Sequence, residues 1–156
     1  MQEILVIDFG SQYTQLIARR VRELKVYSEI IPCNAPFSEI ERRKPSGIIL
    51  SGGPASVYEN DAPSIDKEIF NLGIPILGVC YGMQLITHLL GGKVSRAEKR
   101  EYGKAILKID DFSDLFAEVK NETVVWMSHA DKINEMPEGF IRLAHTENSP
   151  YAAMAD

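Results

Sequence analysis

The chain is sparing with the residues that ligate metals or form cross-links. It has two cysteines, Cys33 and Cys80, and three histidines, His88, His129 and His145. No Cys-x-x-Cys occurs and no histidines pair at ligand spacing, so a metal site is not expected. The cysteines stand far apart in different settings, which argues against a disulfide framework. No apolar run approaches the ~18 residues of a membrane span. Met1-Gln2-Glu3-Ile4 lacks the basic stretch and apolar core of a signal peptide. Free thiols in a reducing cytoplasm are therefore expected. Basic residues are in deficit, 17 Lys and Arg against 22 Asp and Glu, for a net charge of −5. That balance argues against a nucleic-acid partner and against a basic membrane-surface patch. Repeats, low-complexity stretches and linkers are lacking too. At 156 residues the chain has the size of one domain. It is long enough to bury about two-thirds of its unfolded surface.

What is present alternates between apolar strands and amphipathic helices. Glu3–Asp8 is a nearly continuous apolar run, as suits a strand buried on both faces. After Phe9-Gly10-Ser11-Gln12, with Ser11 a candidate N-cap, the residues Tyr13, Leu16, Ile17, Val21 and Leu24 keep helical spacing. Strands are expected over Ser28–Ile31, Gly47–Ser51 and Ile74–Val79. Helices are expected over Ser38–Arg43, capped by Ser38, over Ser64–Leu72, closed by Gly73, and over Tyr81–Leu90, closed by Gly91-Gly92. This order predicts an α/β fold, a doubly wound and mostly parallel sheet with helices on both faces. The second half reads differently. Lys104–Ile109, Thr123–Met127 and Phe140–Ala144 look like strands joined by loops, an antiparallel extension. The closing run from Tyr151 to Asp156 is weakly apolar and reads as an element cut midway.

The sharpest local pattern is Gly78-Val79-Cys80-Tyr81-Gly82. A nucleophile flanked by glycines between a strand and a helix is a nucleophile elbow. The turn is tight, and a Cβ at either glycine would crowd backbone. It would lift Cys80 to the carboxyl edge of the sheet, where open α/β sheets bind ligands. The partial positive charge of a helix N-terminus would favour its thiolate. The alternative is a small buried core cysteine, and the strand, the helix and the two glycines tilt the reading toward a nucleophile. Ser51-Gly52-Gly53-Pro54 follows another strand and belongs to the same edge. On its own it reads as a strand-to-loop turn. Its functional alternative is a backbone N–H aimed at an oxyanion, with the N–H of Tyr81 as second donor. A phosphate loop would need a Gly-Lys-Ser/Thr that the chain lacks.

A thiol nucleophile wants a base. His88 lies two turns beyond Cys80 and reads as helix surface. His129 and His145 each stand at the end of an expected strand, and either is open as base or as an ordinary structural histidine. Asp8 is a candidate acid or metal ligand, or equally a turn cap. Cys33 follows Pro32 without an elbow and reads as structural.

Four segments together carry a resemblance: the run from Asp8 to Arg20, then Ser51-Gly52-Gly53-Pro54, then Gly78-Val79-Cys80-Tyr81-Gly82-Met83-Gln84, then Trp126-Met127-Ser128-His129-x-Asp131. The chain resembles the class I glutamine amidotransferases, and within them the amidotransferase domain of GMP synthetases. The resemblance implies that Cys80 attacks the side-chain carboxamide of L-glutamine. The backbone N–H groups of Gly53 and Tyr81 would hold the oxyanion. Gly52, Gln84, Ser128, His129 and Asp131 would bind the substrate, which makes His129 a pocket residue and not the base. No cofactor is implied for this domain. ATP and Mg²⁺ are implied for a synthetase domain, joined in cis or in trans, that takes the ammonia and aminates xanthosine monophosphate. The resemblance also admits a homodimer of the full protein.

One family feature is missing. The base and its carboxylate come from a His-Pro-Glu segment in this family, and no histidine here precedes proline. The residues are therefore expected to be an amidotransferase domain without its last part, weakly active or inactive alone. Two rival readings are another cysteine-elbow hydrolase on a similar sheet and a non-catalytic flavodoxin-like regulatory domain.

Overall fold

The computed structural model describes residues 2–156, with only the backbone course given for 99–101. The chain divides into two compact units, Met1–Ile86 and Thr87–Asp156.

The first unit holds β1 (Glu3–Asp8), α1 (Thr14–Glu23), β2 (Tyr27–Pro32), α2 (Phe37–Arg43), β3 (Gly47–Leu50) and β4 (Ile76–Gly78). The four strands are parallel, in the order β2-β1-β3-β4. β1 pairs on both sides, and Leu5, Val6 and Ile7 are fully buried. That is why its sequence shows no polar alternation. From β1 the chain steps outward to β2, then returns across β1 to β3. Right-handed crossovers put α1 on one face and α2 on the other, so the sheet is doubly wound as expected. The order reverses between β1 and β3, and their carboxyl ends border the crevice where such sheets take ligands.

Local corrections follow from packing. α1 buries Thr14 and Ala18, while Tyr13, Leu16 and Leu24 are exposed. The inward stripe is rotated because Ala18 sits close on β2, where its carbonyl accepts from Ser28 Oγ at 2.8 Å. Ser11 is not the N-cap. Tyr13 holds that position, and Ser11 Oγ accepts from the Tyr13 amide at 3.0 Å. α2 begins at Phe37 behind an extended Pro36, so Ser38 lies inside the helix and caps nothing. At its other end Arg43 makes a two-pronged pair with Glu29, at 2.8 and 2.9 Å, and reaches Glu3 and Glu39. The helix expected over Ser64–Leu72 is only a 3₁₀ turn, Lys67–Asn71. Asp66 accepts from the Glu68 amide and starts the turn late, while Ile65 is buried ahead of it. Gly73 closes the turn at φ +67°, as its sequence position suggested.

Helix α3 (Tyr81–Leu89) carries the chain into the second unit and ends at Gly91, φ +91°. There β5 (Lys93–Ile109), β6 (Glu122–Glu135), β7 (Ile141–His145) and β8 (Ala153–Ala155) form an antiparallel sheet of their own, ordered β6-β5-β7-β8. The expected antiparallel extension is thus a separate sheet. Its strands run well past the expected ends: β5 and β6 pair from Lys93↔Glu135 to Lys108↔Glu122. The closing apolar run supplies β8, which pairs with β7. Leu107, Ile109 and Ala144 form this unit's core, with Phe116, Val119, Val125, Ala152 and Ala153 packed on it.

Candidate active site

The parallel register brings three strand ends level. Ile7 lies opposite Leu50, and Leu50 opposite Gly78, so the segments after β1, β3 and β4 emerge side by side. Backbone hydrogen bonds then knit these segments. The Val79 amide donates to the Leu50 carbonyl at 2.9 Å, and the Gly82 amide donates to the Ser51 carbonyl at 3.0 Å. Ser51 is fully buried, and its hydroxyl accepts from the Phe9 amide at 3.0 Å while donating to the Gly52 carbonyl at 2.9 Å. The Phe9 ring rests against Tyr81 at a centroid distance of 5.4 Å.

Cys80 stands at the crest of the turn between β4 and α3 with φ +51°. Few non-glycine residues adopt that left-handed conformation, which is held here by the close packing of both flanks. A Cβ on Gly78 would meet the Met83 amide nitrogen at 2.6 Å, and one on Gly82 would collide with the Leu50 carbonyl oxygen. The two glycines let helix and strand approach this closely. The Cys80 side chain is exposed, yet neighbouring atoms desolvate its sulfur and push the thiol up from its ordinary value. At neutral pH the sulfur carries its proton, and nucleophilic chemistry needs a base.

Gly52 lies against the turn. A Cβ there would touch Cys80 Cβ and Ser11 Oγ, each at 3.5 Å. A Cβ on Gly53 would lie 2.5 Å from the Phe9 carbonyl oxygen. Among the described residues, no hydrogen bond engages the Gly53 or Tyr81 amide. Tyr81 itself is buried, donates its hydroxyl to the Pro63 carbonyl, and has its phenol pushed up to about 12 by burial. Gln84 is buried one turn on, its amide donating to the Cys80 carbonyl at 3.1 Å. Cys80, Gly52, Gly53, Tyr81 and Gln84 thus all belong to the first unit's sheet edge.

Asp8 is a turn residue. Its Oδ1 accepts from the Gly10 amide at 2.9 Å and the Thr14 hydroxyl at 2.8 Å. Among the described residues no three His, Cys, Asp or Glu side chains gather as a metal site. Cys33 is partly buried, and desolvation raises its thiol. Sequence reasoning missed the part played by Ser51 and Ser11. Only the three-dimensional neighbourhood of Gly52 shows it.

Ser128, His129 and Asp131 lie in the second unit, inside β6 and not after it as expected. The strand's two-residue period puts His129 and Asp131 on one face and Ser128 on the other. His129 Nδ1 lies 2.7 Å from the Asp131 carbonyl oxygen. A carbonyl only accepts, so Nδ1 carries hydrogen and the neutral ring has its lone pair on Nε2. Asp131 is buried. His145 Nδ1 meets Asp110 Oδ2 at 2.8 Å, an oxygen shared with Arg142, and His88 is exposed near the end of α3.

The family model "Glutamine amidotransferase class-I" matches residues 5–156. The chain belongs to the class-I glutamine amidotransferase family. The resemblance carried by the Cys80 turn and the Met-Ser-His segment is borne out. A GMP synthase [glutamine-hydrolyzing] of Nitratiruptor is 61% identical over 162 residues, covering all of this chain and 31% of that protein. The same-named protein of Aquifex aeolicus is 61% identical over 153 residues, 98% of this chain and 30% of that protein. The chain therefore spans about a third of the length of these curated relatives. Among solved structures, a candidate GMP synthase subunit from Thermoplasma acidophilum superposes with TM-score 0.91 at 31% identity. It is matched over 99% of this chain and 78% of that one. A Thermotoga maritima glutamine amidotransferase, 21% identical with TM-score 0.78, covers 99% of this chain and 71% of that one, and shares the fold.

Proposed function

We propose that this amidotransferase chain hydrolyses L-glutamine at Cys80 and that the ammonia serves a synthetase portion which aminates xanthosine monophosphate to GMP. The observation that carries the reading is the left-handed Cys80 at a strand-to-helix turn, with the amides of Gly53 and Tyr81 left without acceptors among the described residues. Sulfur attacks the carboxamide carbon, and the oxyanion is held by those two amides. The carbon–nitrogen bond breaks, ammonia leaves with the proton taken from sulfur, and water hydrolyses the γ-glutamyl thioester to glutamate. Gly52 and Gln84 bound the substrate beside the sulfur. Ser128, His129 and Asp131 are assigned to its amino-acid end. The raised Cys80 thiol supports a separate base, and the family's His-Pro-Glu segment is absent from these residues.

The curated relatives are named GMP synthases, and this chain matches less than a third of their length, which supports a synthetase portion as partner. ATP and Mg²⁺ belong to that portion. Here there is no Gly-Lys-Ser/Thr loop and, among the described residues, no carboxylate cluster fit for them.

The test is intact-mass analysis after incubation with a glutamine-shaped electrophile such as a diazoketone analogue. One adduct on Cys80 that excess glutamine blocks is expected. Labelling of Cys33, or labelling that glutamine leaves unchanged, would instead indicate general thiol chemistry.

A further inference from the structure

The outer face of the β5–β6 ribbon is more apolar than an open sheet face needs to be. The register sets Ile106 opposite Val124, Lys104 opposite Trp126, and Tyr102 opposite Ser128. Alternate residues along each strand share a face, so these six make one surface. Its apolar members are far from covered: Trp126 is 78% exposed, Val124 61%, Tyr102 60% and Ile106 52%. The opposite face carries Ala105, Leu107 and Val125, and Leu107 and Val125 belong to the core cluster. The exposed row is thus a second apolar face and not a misplaced core. Lys108 and Glu122, paired across the strands, bound it at one end. An apolar centre with an aromatic anchor and a charged rim has the anatomy of a protein interface.

We infer that this face is the docking surface for the synthetase portion, which makes up most of the remaining length of the curated relatives. This rests on the proposed glutamine hydrolysis and adds where the ammonia-consuming partner sits. One observation favours that occupant over a second copy: about 70% of each relative lies outside the region matched here, far more than the unmatched remainder of the Thermoplasma subunit, and it needs a surface to meet.

The test uses an intact synthase in which this chain replaces the matching region of the Aquifex aeolicus relative. Hydroxyl-radical labelling, read by peptide mass, compares Trp126 with Tyr13, which is 63% exposed in the first unit. A docked face gives Trp126 slower labelling than Tyr13, at every protein concentration. The double variant Trp126→Ser, Ile106→Ser then lowers glutamine-driven GMP formation at least ~10-fold relative to ammonia-driven formation, as loss of a buried aromatic anchor does. Glutamine hydrolysis itself stays within about twofold, since neither residue belongs to the pocket. Trp126 labelled faster than Tyr13 would overturn the inference. Protection that disappears on dilution would overturn it too, and would assign the face to a second copy. A synthase that makes GMP from ammonia but never hydrolyses glutamine would sink the proposed function instead, while the labelling still reports on docking.

Discussion

The amide of Gly82 donates to the carbonyl of Ser51 across 3.0 Å, so the turn that presents Cys80 is fastened to the loop that follows β3. The fastening explains how a cysteine can keep a left-handed backbone. Each flank is fixed to a neighbouring strand end, and the residue between them has no room to relax.

That strain is measurable. Cys80→Ala and Cys80→Gly should both abolish glutamine-blocked labelling. Glycine accepts φ +51° without a Cβ penalty, so the glycine variant should be the more stable of the two by about 1 kcal/mol. Urea unfolding of the pair decides it. Equal stability would mean that the turn is not strained.

Ser51→Ala removes two hydrogen bonds from a fully buried position and leaves the Phe9 amide without its acceptor. A loss of about 1–3 kcal/mol is expected by chemical denaturation. A drop in glutamine hydrolysis should accompany it even where the protein is folded, because the Gly52-Gly53 loop is no longer anchored.

Gly53→Ala puts a Cβ 2.5 Å from a backbone oxygen that cannot swing aside. The loop must shift, carrying the Gly53 amide out of place. In the intact synthase, kcat for glutamine hydrolysis should fall about 10²–10³-fold with KM changed far less, the signature of a donor used in the transition state. A rise in KM with kcat preserved would make Gly53 a binding residue only.

The Cys80 thiol is raised by desolvation, so the neutral form dominates at neutral pH. Alkylation by a small uncharged reagent should increase with pH and reach its midpoint above the ordinary thiol value of about 8.5. A midpoint near neutrality would show that a cation or base within these residues already activates the sulfur.

Arg43 holds the Glu29 carboxyl below its ordinary value, chiefly through its hydrogen bonds. A depressed carboxylate stabilises the fold above its unfolded pKa, and that contribution is lost as pH falls through the folded pKa. Between about pH 6 and about pH 3, Tm should therefore fall less in Glu29→Gln than in the parent. Glu29 is partly exposed, so the difference should shrink in high salt.

The parallel sheet was readable because its strands are buried on both faces and so appear as unbroken apolar runs. The Cys80 turn was readable because a glycine stands two residues to each side. Other features were hidden for physical reasons. The first part of β5 carries Arg96, Glu98, Lys99, Arg100 and Glu101, and such a run reads as a solvated loop until a partner strand is known. Asp66 shortened the helix expected from Ser64 by capping late. Ser51 acts on Phe9, 42 residues away, a pairing that no local pattern carries. The sequence pattern ends the strand at Met127, whereas β6 keeps pairing past it through residues with little apolar alternation, His129 among them.

Trp126 is the chain's single tryptophan, and it stands in the open on the outer row of β6. Intrinsic fluorescence therefore reports from one address. The emission of the 156 residues alone should be red-shifted and readily quenched by a soluble collider. It should move to the blue when something settles on that strand, and it should say little about events at the sulfur. A spectrometer could follow the arrival of a partner in real time, with no dye attached.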